Sequence, residues 1–231
     1  LRDTDEIISI ASADLDGDGD LYVAAVDEAT DFLVILLNRG DGTFVQTSKS
    51  YHAGGRPYFL VAAELDADGD LDIVVADEAD GEILIFRNRG DASFDAGVGL
   101  PVGDGPVGLV ARDLDGDGRA DLAVGKTGDA DVSILLNDGA GNLGGRVDIP
   151  VGAISYLSGA DLDGDGDLDL AAARDTEDRV TILRNVGGGA FEPGETIDLG
   201  QPPRSVIAAD LDGAGLPDLV ILCGGRGQRL G

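Results

Sequence analysis

The stretch Asp161-Leu-Asp163-Gly-Asp165-Gly-Asp167-Leu-Asp169 is one of five copies of an acidic motif nine residues long. The other copies begin at Asp14, Glu64, Asp113 and Asp210, so successive copies start 50, 49, 48 and 49 residues apart. Self-similarity at such a steady interval is typical of repeat proteins, in which each repeat is one supersecondary unit. The motif therefore predicts a fold built from about five repeats of ~49 residues.

The spacing of the carboxylates within the motif is suited to a hard cation. Side chains at positions one, three, five and nine of a short loop can converge on one point, and the carbonyl of position seven can join them. Calcium takes about six to eight oxygen ligands and tolerates irregular geometry, while glycine at position six permits the sharp bend. At position seven the backbone carbonyl would be the ligand, whatever the side chain. The predicted calcium ligands are Asp14, Asp16, Asp18 and Asp20 in the first copy; Glu64, Asp66, Asp68, Asp70 and Asp72 in the second; Asp113, Asp115, Asp117, Arg119 and Asp121 in the third; Asp161, Asp163, Asp165, Asp167 and Asp169 in the fourth; and Asp210, Asp212, Leu216 and Asp218 in the fifth.

Other ions and other calcium motifs fit these residues less well. Magnesium demands strict octahedral geometry and keeps its waters, and zinc prefers cysteine and histidine, of which the chain has one each, Cys223 and His52. An EF-hand requires glutamate at position twelve and flanking helices. Here position twelve is apolar in every copy, and flanks such as Asp72-Ile-Val-Val-Ala76 are rich in β-branched residues, which favour strands.

The five copies differ in how many carboxylates they hold. The third and fourth have aspartate at all four side-chain positions, and the second has Glu64 at the first position. Tyr22 replaces the ninth carboxylate of the first copy, and Ala214 replaces the fifth-position carboxylate of the last. Because calcium affinity follows ligand charge, we expect strong sites in repeats 2–4, with the third and fourth ahead of the second. Binding in repeats 1 and 5 is expected to be weak or absent.

The composition is strongly acidic. The chain of 231 residues contains 45 acidic and 16 basic residues, which gives a net charge of −29. This charge disfavours nucleic acids and anionic membranes as partners, because both require a basic surface. No apolar run approaches the ~20 residues of a membrane-spanning helix, and a single cysteine excludes an internal disulfide. Loops of low calcium affinity suit the high calcium outside cells, so an extracellular or cell-surface protein is expected.

The segments between the motifs predict β-strands. In the third repeat, strand-like residues cover 106–111, 122–125 and 132–136, and a fourth strand starts at Leu143 after a turn rich in glycine. Four short strands per repeat, with no helical period, are the signature of a propeller blade. We predict an all-β propeller of four-stranded antiparallel blades with an incomplete last blade. It would be one domain over residues 1–231, with repeats at approximately 1–50, 51–99, 100–148, 149–196 and a partial 197–231. Residues in phase after the third turn are expected to fill the spaces between blades: Phe44, Phe94, Leu143 and Phe191.

These residues carry a resemblance to a known family. The form Asp-x-Asp-Gly-Asp-Gly-x-x-Asp-Leu, followed by an apolar strand, a turn such as Asn38-Arg-Gly-Asp-Gly42 and then Phe44, resembles the FG-GAP/VCBS repeats. That family forms β-propellers, including the head of the integrin α-subunit and many secreted bacterial proteins. The resemblance implies calcium at the carboxylates named above, pinning the first hairpin of each blade, in a module for binding, adhesion or structural support.

The number of repeats departs from that family. Its propellers usually have about seven blades, whereas this chain has four repeats and the first half of a fifth. We expect either a piece of a larger propeller or a small ring with an incomplete blade. An open array exposes sheet faces and edges, which invites self-association.

No catalytic constellation is visible in the sequence. His52 stands without a nucleophile pattern, and the regular carboxylates are accounted for as ligands. The leading interpretation is a non-enzymatic module that binds a protein or a glycan through its loop-bearing face. The alternative is a lectin or a carbohydrate-active enzyme, a polysaccharide lyase or glycosidase. An acidic sugar would then need a basic cluster, for which the candidates are Arg56, Arg112, Arg119, Arg174 and Arg204.

Overall fold

The computed structural model describes residues 6–224, which form eighteen β-strands and one 3-10 turn, Asp175–Glu177. Blades are numbered in chain order. Blade 1 contains β1 (Ile7–Ala13), β2 (Tyr22–Asp27), β3 (Phe32–Asn38) and β4 (Phe44–His52). Blade 2 contains β5 (Pro57–Ala63), β6 (Asp72–Asp77), β7 (Glu82–Phe86) and β8 (Val98–Pro101). Blade 3 contains β9 (Pro106–Arg112), β10 (Asp121–Lys126), β11 (Asp131–Asn137) and β12 (Leu143–Pro150). Blade 4 contains β13 (Tyr156–Ala160), β14 (Asp169–Arg174), β15 (Arg179–Asn185) and β16 (Phe191–Asp198), and blade 5 contains β17 (Pro203–Ala209) and β18 (Asp218–Cys223).

Each blade is an antiparallel meander. In the four complete blades the strands pair in chain order, and the fifth sheet consists of β17 and β18 alone. The prediction of four-stranded antiparallel blades with an incomplete last blade is therefore confirmed for the described part of the chain. None of residues 6–224 belongs to a helix of the length and apolarity that crossing a bilayer requires.

The burial of each strand follows its place in the blade. The second strand of blade 2, Asp72–Asp77, is buried at every position, because β-branched side chains on both of its faces pack against neighbouring blades. The outermost strands β4 and β12 are mostly exposed and carry polar and small residues. Pro57, Pro106 and Pro203 are the first residues of their strands, where a missing N–H is tolerated.

The apolar core lies between successive blades. The first strands contact one another in sequence, from β1 to β5, β9, β13 and β17, and so line the centre of the molecule. A separate apolar cluster fills each of the four interfaces. Between blades 1 and 2, for example, Val26 and Ile35 pack in one cluster with Leu60 and Phe86. Antiparallel sheets packed in this way around a common centre form a β-propeller.

The sheet faces at the two ends of the array are exposed. Ile10 of β1 is 66% exposed, whereas Leu60, at the same position of the second repeat, is 2% exposed because it packs on blade 1. Leu222 of β18 is likewise exposed. Across residues 6–224, each blade therefore packs on its neighbours in the chain, and the two terminal faces lack such a neighbour.

The residues after the third turn were predicted to fill the spaces between blades, and this prediction is wrong for blade 1. Phe94 is 4% exposed, and its ring packs edge-on against Tyr51 of the preceding blade, with 5.7 Å between ring centroids. Phe44 occupies the same position of blade 1 but is 48% exposed. The physical reason is the end of the array, because the described residues place no blade before blade 1.

Candidate metal centres

The acidic motif forms the loop between the first and second strands of each blade. In blade 3 these strands pair as far as Arg112 and Asp121, so residues 113–120 make the loop. The ninth position of the motif is consequently the first residue of the second strand, as it is for Asp72, Asp169 and Asp218. The loops are numbered 1 to 5 with their blades.

The carboxylate at position one organises the loop from within. Asp113 accepts hydrogen bonds from the backbone N–H groups of Gly116 and Gly118, at 2.7 and 2.8 Å. Both glycines have positive φ, 85° and 86°, a backbone conformation that a side chain disfavours. The same two bonds, from positions four and six to position one, recur in all five loops. The bend that they stabilise turns the following carboxylates inward.

The aspartates at positions three and five each use one carboxylate oxygen to accept a backbone hydrogen bond within the loop. Asp115 Oδ1 accepts the N–H of Asp117 at 3.1 Å, and Asp117 Oδ1 accepts the N–H of Arg119 at 2.9 Å. Each carboxylate keeps its second oxygen for another partner. In loop 3 the second oxygen of Asp117 pairs with the guanidinium of Arg119.

In blades 2–4, the aspartate at position nine is buried at the base of the loop. Asp121 accepts hydrogen bonds from the N–H groups of Asn137 and Leu114, at 2.7 and 3.0 Å, and Asp169 makes the equivalent pair in blade 4. Burial raises the pKa of Asp121 and of Asp169, against the backbone hydrogen bonds, which lower it. A buried carboxylate of this kind is stabilised in its charged form by a nearby cation.

Each loop brings three carboxylates together. One oxygen of each lies within 4.8 Å of the other two, and a donor set made only of oxygen at such separations fits a hard cation such as calcium. In loop 2 one buried oxygen, Asp66 Oδ1, has no hydrogen-bond partner, which leaves an acceptor for an ion. The groups are Asp14, Asp16 and Asp18; Glu64, Asp66 and Asp68; Asp113, Asp115 and Asp121; Asp161, Asp163 and Asp165; and Asp210, Asp212 and Asp218.

Some predicted ligands lie outside these groups. Asp72 and Asp169, at position nine, are absent from the groups of loops 2 and 4, and Asp117 is absent from that of loop 3. The acidic side chains at position seven, Asp20, Asp70 and Asp167, are also outside. Leu216 and Arg119 carry no side-chain oxygen, so position seven would contribute only its carbonyl, as predicted from the sequence.

Tyr22 stands at position nine of loop 1. Its hydroxyl donates to Asp16 Oδ2 at 2.6 Å. This hydrogen bond, with burial and the neighbouring carboxylates, raises the pKa of Tyr22 to about 12. A neutral donor thus replaces a negative ligand, and loop 1 holds one carboxylate fewer than loops 2–4.

In blades 2–4, an asparagine at or shortly after the end of the third strand links the loop to that of the preceding blade. Nδ2 of Asn137 donates to the carbonyl of Leu65 in blade 2 at 2.8 Å and to that of Ala120 in its own blade at 3.0 Å. Asn88 and Asn185 make the same pair of bonds. We call these three residues the clamp asparagines.

The sequence pattern did not predict this role. An asparagine stands 24 residues after the start of each of the first four motifs, at Asn38, Asn88, Asn137 and Asn185, so a signal was present. Asparagine before glycine is, however, most simply interpreted as a turn former. Which carbonyl its amide meets depends on the packing of two blades.

Two arginines also face the acidic loops without having been predicted: Arg184 belongs to β15, and Arg87 directly follows β7. Arg87 pairs with Asp72 of loop 2. Arg184 Nη1 lies 2.6 Å from Asp163 Oδ2 of loop 4. The guanidinium groups therefore meet predicted calcium ligands directly.

The five arginines considered as a basic cluster are mostly neutralised. Arg56 pairs with Glu28 at 3.1 Å and with Glu78 at 3.0 Å, and Arg204 pairs with Asp175 at 3.2 Å. Arg119 pairs with Asp117, and Arg174 with Glu177. Within residues 6–224, Arg112 alone of the five has no carboxylate at ion-pair distance. The five do not form a basic face.

A cavity opens beside the loops of blades 2 and 3. Its volume is about 410 Å³, and its lining includes Glu64, Leu65, Arg112, Asp113 and Asn137. Arg112 also lines the central opening, where the first strands of the blades meet. The cavity joins apolar walls to both signs of charge, a combination found in ligand sites.

The fold and its loops define the class of the protein. It is a β-propeller of antiparallel blades, and in each blade a loop bent at glycine gathers carboxylates. The chain belongs to the FG-GAP-like repeat family, because matches to the family's repeat model cover residues 14–75, 64–124, 113–172 and 161–221. The resemblance seen in the sequence is thereby confirmed. A search of curated proteins finds no match.

Solved structures share the fold at low sequence identity. A putative 6-phosphogluconolactonase from Bacteroides uniformis matches with a TM-score of 0.65 and 16% identity, over 94% of this chain and 58% of that one. Virginiamycin B lyase from Staphylococcus aureus matches with a TM-score of 0.57 and 15% identity, over 89% and 60%. An Agrocybe aegerita lectin, described for recognition of non-reducing terminal N-acetylglucosamine, matches with a TM-score of 0.56 and 25% identity, over 81% and 51%. The chain thus spans between half and three fifths of the length of these structures.

Proposed function

We propose that the protein is a non-enzymatic, calcium-binding propeller that serves as an extracellular binding, adhesion or structural module. The observation that carries the proposal is the gathering of three carboxylate oxygens within 4.8 Å in each of five loops. Like charges at this distance repel one another, and a divalent ion would offset the repulsion. Calcium held by positions one, three and five or nine would pin the hairpin between the first two strands of a blade.

Calcium titration of the metal-stripped protein, followed by calorimetry and by thermal melting, tests this proposal. We expect saturable binding and a rise in the melting temperature, because a ligand that binds only the folded state stabilises it by mass action. Asp115→Asn should weaken binding at loop 3 by about tenfold or more, since one ligand charge is lost. Glu195→Gln, at an exposed residue of β16, removes the same charge away from any loop and should leave binding unchanged. An identical melting temperature in calcium and in chelator would refute the proposal.

The partner is proposed to be a protein or a glycan that docks on the loop-bearing face. The cavity between blades 2 and 3 lies on that face and offers apolar surface, carboxylates and Arg112 together. The similar lectin fold shows that such a scaffold can carry sugar recognition in another protein. A glycan array probed in calcium and in chelator separates the cases. Retention of one sugar class supports a lectin-like role, and the absence of any retention directs the search to protein ligands.

A carbohydrate-active enzyme is the second candidate. Arg112 favours it, because this arginine lines the cavity without an ion-pair partner among residues 6–224. The pairing of the other four candidate arginines argues against a site for an acidic sugar. Incubation with acidic polysaccharides tests this second candidate, because a lyase would release unsaturated ends that absorb in the ultraviolet. Turnover above that of an Arg112→Ala variant would overturn the non-enzymatic proposal.

We also propose self-association through the two terminal faces. The exposed side of β1 and the exposed side of β18 are the two halves of the interface that recurs between blades, so a second copy can place its blade 1 against blade 5. Sedimentation over a range of concentrations should show growth beyond the monomer, and Ile10→Glu should abolish it because Ile10 lies in the contact. A monomer at every concentration contradicts this proposal.

A further inference from the structure

One position near the end of the third strand differs between otherwise similar repeats. The residue that precedes the clamp position is Leu37 in repeat 1 and Leu136 in repeat 3, but Arg87 in repeat 2 and Arg184 in repeat 4. The chain therefore contains two kinds of acidic loop, one facing leucine and one facing a permanent positive charge. Charge counts within the nine-residue motif do not include this residue.

Both arginines reach the same two carboxylates of their loops. Arg184 Nη1 lies 2.6 Å from Asp163 Oδ2 at position three and 3.5 Å from Asp169 Oδ2 at position nine. Arg87 Nη1 pairs with Asp72 at position nine and lies 3.7 Å from Asp66 Oδ2 at position three. Two arginines from different blades thus bridge positions three and nine, which are both predicted ligands.

The arrangement of the carboxylates follows the presence of the arginine. In loops 3 and 5, no arginine of residues 6–224 bridges these positions, and the ninth carboxylate, Asp121 or Asp218, belongs to the converging group. In loops 2 and 4, the ninth carboxylate lies outside the group, which consists of positions one, three and five. Arg119 of loop 3 does not break this relation, because it pairs with Asp117 at position five.

A guanidinium in this position opposes a calcium ion in two ways. It holds oxygen atoms that the ion would coordinate, and it repels the ion electrostatically. The side chains of Arg87 and Arg184 are 23% and 38% exposed, so solvent only partly screens the repulsion. In the absence of calcium, the same contacts relieve the repulsion among the carboxylates, because arginine stays charged at all physiological pH values.

We propose that Arg87 and Arg184 are internal counter-cations, which hold loops 2 and 4 in shape without calcium and weaken calcium binding there, whereas loop 3 keeps positions three and nine for the ion. The proposal rests on the proposed function, calcium binding by the acidic loops. It changes the order of affinity expected from charge counts, which placed loop 4 level with loop 3.

Arg184 is the better residue for a test, because Arg87 has a second role. Arg87 Nη2 also donates to the carbonyl of Gly141 in blade 3 at 2.7 Å, so its loss affects an interface as well as a loop. Arg184→Leu copies the residue that repeat 3 carries at the same position, Leu136. Leu136→Arg makes the reverse exchange. Arg56→Leu removes an equal charge from a pair with Glu28 and Glu78, away from the loops.

The full chain would be titrated with calcium by calorimetry and melted both in chelator and in calcium. Arg184→Leu should bind calcium about tenfold more tightly at one site, in line with the gain of a free ligand charge. It should melt at a lower temperature than the wild type in chelator and recover in calcium. Leu136→Arg should weaken calcium binding at loop 3, and Arg56→Leu should leave every affinity within about twofold of the wild type.

Two outcomes separate this inference from the function on which it rests. If the wild type binds calcium but Arg184→Leu leaves its affinities unchanged and lowers the melting temperature equally in both buffers, Arg184 is an ordinary ion pair and the inference is overturned. If neither protein binds calcium at millimolar concentration, the calcium function itself fails. Tighter binding at one site in Arg184→Leu, with the remaining sites unchanged from the wild type, would support the inference.

Discussion

Replacement of a clamp asparagine should destabilise the propeller by an amount that depends on its place in the array. In Asn137→Ala, the carbonyl oxygens of Leu65 and Ala120 lose their donor, and the N–H of Gly139 loses the acceptor that Asn137 Oδ1 provides at 2.9 Å. Leu65 is buried, so its carbonyl bears the full cost of an unmade hydrogen bond, about 2 kcal/mol. The other two groups are nearer to water and cost about 0.5 kcal/mol each. The expected loss in the free energy of unfolding is about 3 kcal/mol.

Asn38→Ala is the matched control, because Asn38 holds the same position in blade 1. Its Nδ2 donates to Leu21 of its own blade at 3.2 Å, and its Oδ1 accepts the N–H of Gly40. Because the described residues give Asn38 no hydrogen bond to a preceding blade, Asn38→Ala should lower the free energy of unfolding by about 1 kcal/mol. Urea unfolding of both variants in saturating calcium measures the two losses. Equal losses in Asn38→Ala and Asn137→Ala would refute the interpretation of the asparagine as a clamp between blades.

Three further predictions follow from other side chains. Tyr22→Asp restores the ninth carboxylate of loop 1 and should add one calcium site by calorimetry, with lower stability in chelator because a buried ring is lost. Lys126→Met should cost about 3 kcal/mol in urea unfolding, because the fully buried ammonium pairs with Asp131 at 2.9 Å and its removal leaves that carboxylate uncompensated. Lys126→Met combined with Asp131→Leu should recover part of the loss. The Arg146 guanidinium, bonded to Asp148, lowers the pKa of that carboxyl to about 2. The stabilisation from the ionised Asp148 carboxylate is fully present above the ordinary aspartate pKa of ~4. It is lost as the pH falls toward the lower pKa that this carboxyl has in the folded protein. Asp148→Asn should therefore be less stable than the wild type at neutral pH, and the difference should shrink in acid, as urea midpoints measured across the range would show.

The blades and their loops could be predicted because both are encoded locally. The nine-residue motif fixes a bend through Gly116 and Gly118, and the apolar runs on either side favour the strands. The interval between copies then sets the size of the blade. Each of these signals lies within one repeat and needs no knowledge of the neighbouring blade.

The features that escaped prediction depend on contacts between distant parts of the chain. Asn137 meets the carbonyl of Leu65, 72 positions earlier in sequence, and only the packed array shows that they face each other. The side chain of Arg184 reaches loop 4 because antiparallel pairing places the end of the third strand beside the start of the second. Phe44 was predicted wrongly for a related reason. Its phase in the repeat is regular, but its environment depends on whether another blade precedes it.

The exposed terminal faces have a consequence for how the molecule opens. Because each blade within residues 6–224 packs on the blades adjacent to it, stability in this part of the chain is distributed as in a linear chain of coupled units, where the units at the ends have one support and those in the middle have two. Opening therefore begins at blades 1 and 5 and moves inward. Amide protons should exchange with deuterium soonest in β1 and β18 and latest in β10, which is buried along its whole length.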